Sequence, residues 1–394
     1  MIELHLITVV WGNEFLKTFL NITLPSQLSE GNIPALDKKC IPIYYIYTRS
    51  EDHPKIISSL IYQKLAAQIQ ITFRFFELNQ NVPVHQTLNN CHIASIVEAN
   101  KKKAAMLFLA PDLIISIGFF HYLADLLNQG KRLIAGLGIR LSLEKVEKEL
   151  QMKNLLHENA ALSLNATELT NLALKNLHSH SLDLFWKNEK GNVLFQHLYW
   201  MLDRSMILAR AFHIHPFVIW PTNTSVVPSN TIDGPYVGEA CPDKKNWHVI
   251  TDTNEIAIFE LSSKSRFENI PTQKPSLTTM SIWASSRRNV GPIHRFYITH
   301  KFYIGTSQRS ANWENIEKES DQVIDLILNP SWKRELFIYP IKFFVQTGLF
   351  FIYLIKVLFF INTPKRKLII NNALKLILPK KIFLQLKKMQ QIPF

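Results

Sequence analysis

The sequence predicts an α/β protein of the Rossmann type: a mostly parallel sheet with helices on both faces, mixed strands in the second half, and a basic amphipathic helical C-terminal tail. Three observations carry that prediction. Residues 1–140 alternate short β-branched runs with helical apolar spacing, the pattern of right-handed βαβ units. Residues 104–120, AAMLFLAPDLIISIGFF, form an apolar run broken only at Asp112, as expected of a strand buried on both faces in mid-sheet. From residue 331 onward, Lys and Arg are interleaved with Phe, Ile and Leu.

Taken in order, residues 2–10, IELHLITVV, read as a strand, Trp11-Gly12-Asn13 as a turn and EFLKTFLNITL as a helix. Pro25, the Glu30-Gly31-Asn32 run and Pro34 end that helix, and residues 41–47, IPIYYIY, supply a second strand. A helix over 53–68, a strand over 69–78 and a helix over 85–103 lead to the central strand. A helix at 119–128, a turn at Gly130 and a fifth strand at 132–139 follow. Residues 142–177 read as a helical insert, with Asn165-Ala166-Thr167-Glu168 as a helix start. From residue 193, the runs HLYWML, ILARAFHIHPFVIWP, TIDGPYV and WHVITDTNEIAIFEL are broken by Pro, Gly and Asp and predict strands that complete a mixed sheet. Residues 270–276 read as a linker, and a polar helix surrounds 314–328. Four segments result: a nucleotide-binding α/β half at 1–140, a helical insert with an acceptor or catalytic half at 141–270, an accessory segment at 271–330, and the tail at 331–394.

With 394 residues, 47% hydrophobic and 19% charged, the chain belongs among folded proteins with a sizeable core. Cys40, Cys91 and Cys241 show no C-x-x-C spacing and no even count, so neither a zinc site nor a disulfide framework is expected and reduced surroundings fit. Glu3 and His5 interrupt the first apolar segment and no basic region precedes it, so no secretory signal is expected. The net charge of +13 divides unevenly: residues 331–394 carry 12 Lys and Arg against Glu335, leaving +2 for the rest. Basic residues set among apolar ones point to a lipid surface and not to nucleic acid. Lys342 and Lys356 leave only 343–355 uncharged within the apolar stretch 336–361, short of the roughly 20 residues of a membrane span. The expectation is a cytoplasmic protein, peripheral or monotopic at an anionic membrane, with packing of the tail on the body or on a second subunit as the alternative.

Several function classes lose their signatures here. There is no G-x-G-x-x-G after the first strand, no G-x-x-x-x-G-K-[ST] and no G-x-S-x-G, which argues against dinucleotide oxidoreductases, P-loop enzymes and α/β-hydrolases.

The candidate residues each have two readings. Asp112 falls where the central strand ends, and open α/β sheets place their ligand crevice outside the carboxyl ends of their strands. It is expected to meet a metal or a sugar, or else to belong to a plain Pro-Asp turn. His213 and His215 alternate along an expected strand and so share a face, as metal ligands or as acid and base, or else as buried histidines beside Phe212 and Phe217. Asp233 before Gly234 is a site carboxylate or an ordinary turn residue. Arg140 contacts phosphate or is solvated, and Trp11, with Trp200 and Trp220, stacks on a ligand ring or fills the core. Asp252 reads as a turn, and His178 and His180 as capping or solvated residues.

The Trp-Gly turn after the first strand, Asp112 ending the fourth, and His213, His215, Asp233 and Asp252 in the second half together resemble the layout of nucleotide-sugar-dependent glycosyltransferases of the GT-A type over residues 1–262. The resemblance implies a divalent metal, Mn or Mg, held at Asp112 against the donor diphosphate. It implies His213 and Asp233 as catalytic groups and Trp11, Arg140 and His215 as substrate-binding residues. The family's Asp-x-Asp pair is incomplete here, because Leu113 and Ile114 follow Asp112, so a further ligand must come from the second half or the metal is not used. The implied partners are a nucleotide-sugar donor, a glycan or lipid-linked acceptor, and an anionic membrane surface through the tail, with no nucleic acid. Competing readings are a non-catalytic membrane-anchored α/β scaffold and a metal-dependent hydrolase built on Asp and two His.

Overall fold

Strand formation follows the β-branched and aromatic runs closely. The computed structural model describes residues 1–329 apart from 37–38, 158–159, 189–195, 268–273, 288, 308 and 311–312. The tail expectation at 331–394 and most of the expected linker lie outside the described residues. Residues Met1–Asn329 form one unit.

The strands are β1 (Ile2–Val9), β2 (Cys40–Thr48), β3 (Gln70–Phe75), β4 (Ala105–Leu109), β5 (Leu113–Ile115), β6 (Leu133–Gly136), β7 (Ile139–Ser142), β8 (His197–Asp203), β9 (Met206–Ala211), β10 (His215–Ile219), β11 (Trp247–Ile250), β12 (Ile258–Ser262) and β13 (Phe302–Gly305). Seven of them build the main sheet, in the order β11-β6-β10-β4-β1-β2-β3. Within it β1, β2, β3 and β4 pair in parallel, as do β6 and β11, while β10 runs against both β4 and β6. The expected α/β class, a mostly parallel sheet with mixed strands in the second half, is what the structure has.

The sheet is covered on both faces, which is why its centre reads as unbroken apolar sequence. All five residues of β4 are buried. Side chains alternate along it: Met106 and Phe108 join Ile7, Val9 and Tyr45 on one face, while Leu107 and Leu109 join Leu6, Tyr44 and Ile46 on the other. Each large apolar side chain buried in this way contributes about 1.5–3 kcal/mol before chain entropy is subtracted.

Four boundaries differ from the sequence expectation. The 104–120 run is two strands, since β4 stops at Leu109 and β5 leaves the main sheet to pair antiparallel with β12. Pro111 lies between them and has no N–H to offer a ladder. The expected strand at 132–139 likewise divides into β6 in the main sheet and β7, which pairs with β12. The expected helix at 53–68 breaks after Ile57, and the Ser59 hydroxyl caps a second helix by accepting from the Tyr62 N–H. The first helix passes Pro25 through a π-helical turn, Phe19–Thr23, because proline is tolerated where a new helical segment begins.

Two three-stranded sheets, β5-β12-β7 and β13-β9-β8, flank the main one. From β1 the chain builds outward through β2 and β3, then returns to β4 on the other side of β1. That reversal is a topological switch point, the place where open α/β sheets set their ligand site.

Candidate functional site

The antiparallel direction of β10 puts its first residue, His215, opposite Gly136 at the carboxyl end of β6. His215 thus starts at the same edge where β4 finishes, and its Nε2–H donates to the Phe108 carbonyl at 3.0 Å. His213 lies in the loop between β9 and β10, outside either strand. The two histidines therefore do not share one strand face, as their spacing suggested: Phe212 to Ile214 turn the chain between sheets.

Asp112 sits in the turn between β4 and β5, and the charges around it come from β7, β12 and the turn that follows β12. Its carbonyl accepts from the Leu261 N–H of β12 at 2.7 Å, and its Oδ2 accepts from Arg266 Nη1 at 3.0 Å. Arg266 also lies over the Phe15 ring, 5.1 Å from its centroid. On β12, Glu260 stands beside Leu113 on one side and Arg140 on the other, and its Oε2 accepts from Arg140 Nε at 2.8 Å. Arg140 is thus a strand residue paired with a carboxylate, not a solvated arginine at a strand end. Gly138 lies against Glu260: a Cβ there would stand 3.4 Å from Glu260 Cγ, an ordinary contact.

Burial raises the Asp112 pKa to about 6, Glu260's negative charge adds to the rise, and Arg266 and Arg140 oppose it. Burial also works to raise Glu260, yet the charge and hydrogen bond of Arg140 bring it below the ordinary carboxylate range. Near neutral pH, then, one carboxylate of the cluster is firmly ionised and the other is poised to exchange a proton.

A cavity of about 110 Å³ opens beside this cluster, lined by Arg140, His180, His197, Tyr199 and Glu260 among others. His197 Nε2–H donates to the His213 carbonyl at 2.8 Å, and burial lowers its pKa to about 4. Burial lowers His180 to about 4 as well. A larger cavity, about 450 Å³, adjoins the smaller one through Gln196 and brings together His213, Asp233, Tyr236 and His294. The rings of His213 and His294 stand 4.2 Å apart. His294 Nδ1 accepts from the Gly291 N–H at 3.0 Å, so its proton is on Nε2, which is buried against the Asp233 main chain. Burial and the neighbouring His213 lower the His294 pKa to about 4.

The candidates therefore fall into groups. Asp112 and Arg140 share the charged cluster; His213 and Asp233 share the large cavity; His215 lines neither and is held at the end of β4 by the Phe108 carbonyl. Trp11 lies just past the first strand, half-buried and edge-on to Phe76 at 5.4 Å, and the Gly12 N–H that follows donates to the buried Asp52 at 3.1 Å. Asp252 makes a turn, accepting from the Asn254 N–H at 2.8 Å, and His178 Nδ1 caps a helix by accepting from the His180 N–H at 3.0 Å. Sequence reasoning missed Glu260, Arg266, His197 and His294. Glu260 had a signal, a lone acid in an apolar run like Asp112; Arg266 had none.

Among the described residues no group of three or more His, Cys, Asp and Glu side chains is arranged to hold a metal ion. Asp112, His213 and His215 consequently do not form the trio a metallohydrolase would need. The Asp112 and Glu260 pair is a different matter. At Asp112, burial and the charge of Glu260 outweigh the two arginines, whereas at Glu260 the charge and hydrogen bond of Arg140 prevail.

No family model matches the chain, and no curated protein matches it. Among solved structures, a Bacillus anthracis protein described as a glucose-1-phosphate thymidylyltransferase, solved with sucrose, is similar at 14% identity over 36% of this chain and 57% of that one, with a TM-score of 0.21. Mouse xyloside xylosyltransferase 1, without ligand, is similar at 8% identity over 39% of this chain and 59% of that one, with a TM-score of 0.24. The chain thus spans less than two thirds of either, and at these scores neither likeness bears on activity.

Proposed function

We propose that the chain transfers a sugar from a nucleotide-sugar donor to a glycan or lipid-linked acceptor, with the donor diphosphate at the switch point. The observation that carries this reading is the four-charge cluster of Asp112, Glu260, Arg140 and Arg266 at the carboxyl edge of the sheet. Departure of a nucleoside diphosphate builds negative charge, and guanidinium groups fit phosphate oxygens in a bidentate fashion. Arg266, 42% exposed at its side chain, can turn from Asp112 to a phosphate without leaving the site. Asp112 and Glu260 would hold a divalent cation, which when bound supplies Lewis-acid stabilisation of the leaving group. On the acceptor side, Asp233 is the group to take a hydroxyl proton, and the neutral ring of His213 helps orient that hydroxyl.

Calorimetry with a panel of nucleoside diphosphate sugars, with and without manganese, tests this. Binding that Asp112→Asn weakens at least tenfold supports donor recognition at the cluster, and the manganese arm tests the cation. Failure of every donor in every condition would favour the competing reading, a non-catalytic α/β scaffold.

The basic apolar tail is proposed to bring the enzyme to an anionic membrane surface. No helix among the described residues is long and apolar enough to cross a membrane.

A further inference from the structure

At the edge of the main sheet opposite the charged cluster, basic residues gather. β4, β6 and β11 run the same way and β10 runs against them, so Met106, Ile219, Leu133 and Trp247 line up across four adjacent strands. Just outside that line stand Lys101, Lys102 and Lys103 before β4, Lys131 and Arg132 before β6, Lys244 and Lys245 before β11, and Trp220 after β10. These ends are tied together. The Trp220 N–H donates to the Arg132 carbonyl at 2.7 Å and its Nε1–H to the Lys103 carbonyl at 3.1 Å. The Arg132 N–H donates to the Asn246 carbonyl at 2.7 Å, and Lys131 Nζ to the Lys245 carbonyl at 3.2 Å. Lys101, Lys102, Lys103, Lys244 and Lys245 are exposed. Among the described residues, the acids that contacts place in this row are Glu3, paired with Lys102 at 3.3 Å, and Asp243, which accepts from the Lys245 N–H; Glu98 is taken by Arg74. The helix Val84–Lys102 accounts for Lys101 and Lys102 through its dipole. It does not account for Lys103, whose φ of +56° is a left-handed conformation that helix ends usually give to Gly or Asn, nor for Lys244 and Lys245, which lead into a strand.

We infer that this edge of the folded body rests on an anionic lipid surface, as a contact separate from the tail. In a body whose net charge is only +2, such a concentration of cations on one sheet edge is complementary to a negatively charged plane. Lysine ammonium groups on flexible stems suit the diffuse charge of lipid headgroups, and lysine outnumbers arginine in this row. Nucleic acid fits less well. Arg132 is engaged with Trp220, its guanidinium 3.5 Å from the ring centroid, so it covers a face of the ring on which a base could stack. Contact at the amino ends of β4, β6 and β11 turns the charged cluster, at the other ends of the strands, away from the lipid. The inference does not rest on sugar transfer, since it needs neither donor nor acceptor.

The test uses the full chain and reads individual lysines, so that binding through the tail does not obscure the body. Acetylation by an N-hydroxysuccinimide ester is followed by mass spectrometry with phosphatidylserine-rich vesicles, with phosphatidylcholine vesicles, and with a single-stranded RNA oligonucleotide at equal phosphate. Lys17 and Lys55 serve as references, because both are exposed and belong to helices entered from the opposite sheet edge. With phosphatidylserine, Lys101, Lys103 and Lys245 are expected to react at least threefold more slowly while the references keep their rates; phosphatidylcholine is expected to protect none of them. The triple variant Lys101→Gln, Lys103→Gln, Lys245→Gln, with its tail intact, is expected to bind phosphatidylserine vesicles at least tenfold more weakly and with a shallower salt dependence. Patch lysines that react as fast as the references, equal protection by both lipids, stronger protection by RNA, or parental vesicle affinity in the triple variant would each overturn the inference. Vesicle binding without patch protection would leave the tail as the membrane contact and sink only this inference.

Discussion

Asp112 is a buried carboxylate whose pKa lies near 6 in the folded chain against 3.8 as its ordinary value. The sign of its effect on stability follows. The raised pKa means the protonated form favours the fold, so this contribution is complete below about pH 4 and is lost as pH rises through about 6. Without added divalent ions, Asp112→Asn should therefore gain Tm relative to the parent as pH rises from 4 to 8, and a difference that stays flat across that range would contradict it. His92 behaves oppositely. It stands edge-on to Phe108 at 5.2 Å, and burial with the nearby His215 lowers its pKa to about 3. Its contribution is complete above about pH 6.5 and is lost on acidification, so His92→Phe should flatten the acid limb of the Tm profile between pH 6 and 4. Both residues show what a sequence conceals. Asp112 was visible because an acid in an apolar run must be explained, and Glu260 offered the same signal in IFELS. Arg266 and His294 were not, since nothing in their neighbouring residues announces Asp112 or His213, each more than eighty residues away.

Strands and helices were legible where a single period ran unbroken, as in β1, β2 and the helix Phe119–Asn128. They were misread where one apolar run served two sheets. Residues 104–120 and 132–139 look continuous because both halves of each are buried, and only Pro111 and the Leu137-Gly138 pair mark the change of sheet. That change matters, because β5, β12 and β7 are what draw Asp112, Glu260 and Arg140 together. The pairing of His213 and His215 failed for a similar reason: a period of two says nothing about where a strand begins. The flanking sheet offers a direct test of its own packing. A Cβ on Gly305 of β13 would fall 2.1 Å from the Ser205 carbonyl, which is backbone and cannot yield. Gly305→Ala should cost about 1–3 kcal/mol or more by chemical denaturation; a variant as stable as the parent would show that β13 and β9 separate more easily than described.

The order of strands in the main sheet was beyond the sequence, since it depends on pairings such as β1 with β4 and β6 with β11 that join distant segments. The α/β class was legible, but the reversal of β10, which delivers His215 to the carboxyl ends of β4 and β6, was not. Charge is divided just as sharply, with a nearly neutral body and a strongly basic tail. If the tail meets anionic lipid as proposed, the full chain should co-sediment with vesicles rich in phosphatidylserine at low salt, release as salt rises, and ignore phosphatidylcholine vesicles. Equal binding to both would remove electrostatics from the account.

The proposed sugar transfer depends on the charged cluster between β4 and β12 being a diphosphate site. Isothermal titration of the intact protein with nucleoside diphosphate sugars, beside Asp112→Asn and Arg266→Ala, tests that directly. The account predicts saturable binding of at least one donor, weakened at least tenfold in both variants while both remain folded. Donor binding of parental strength in both variants would contradict it.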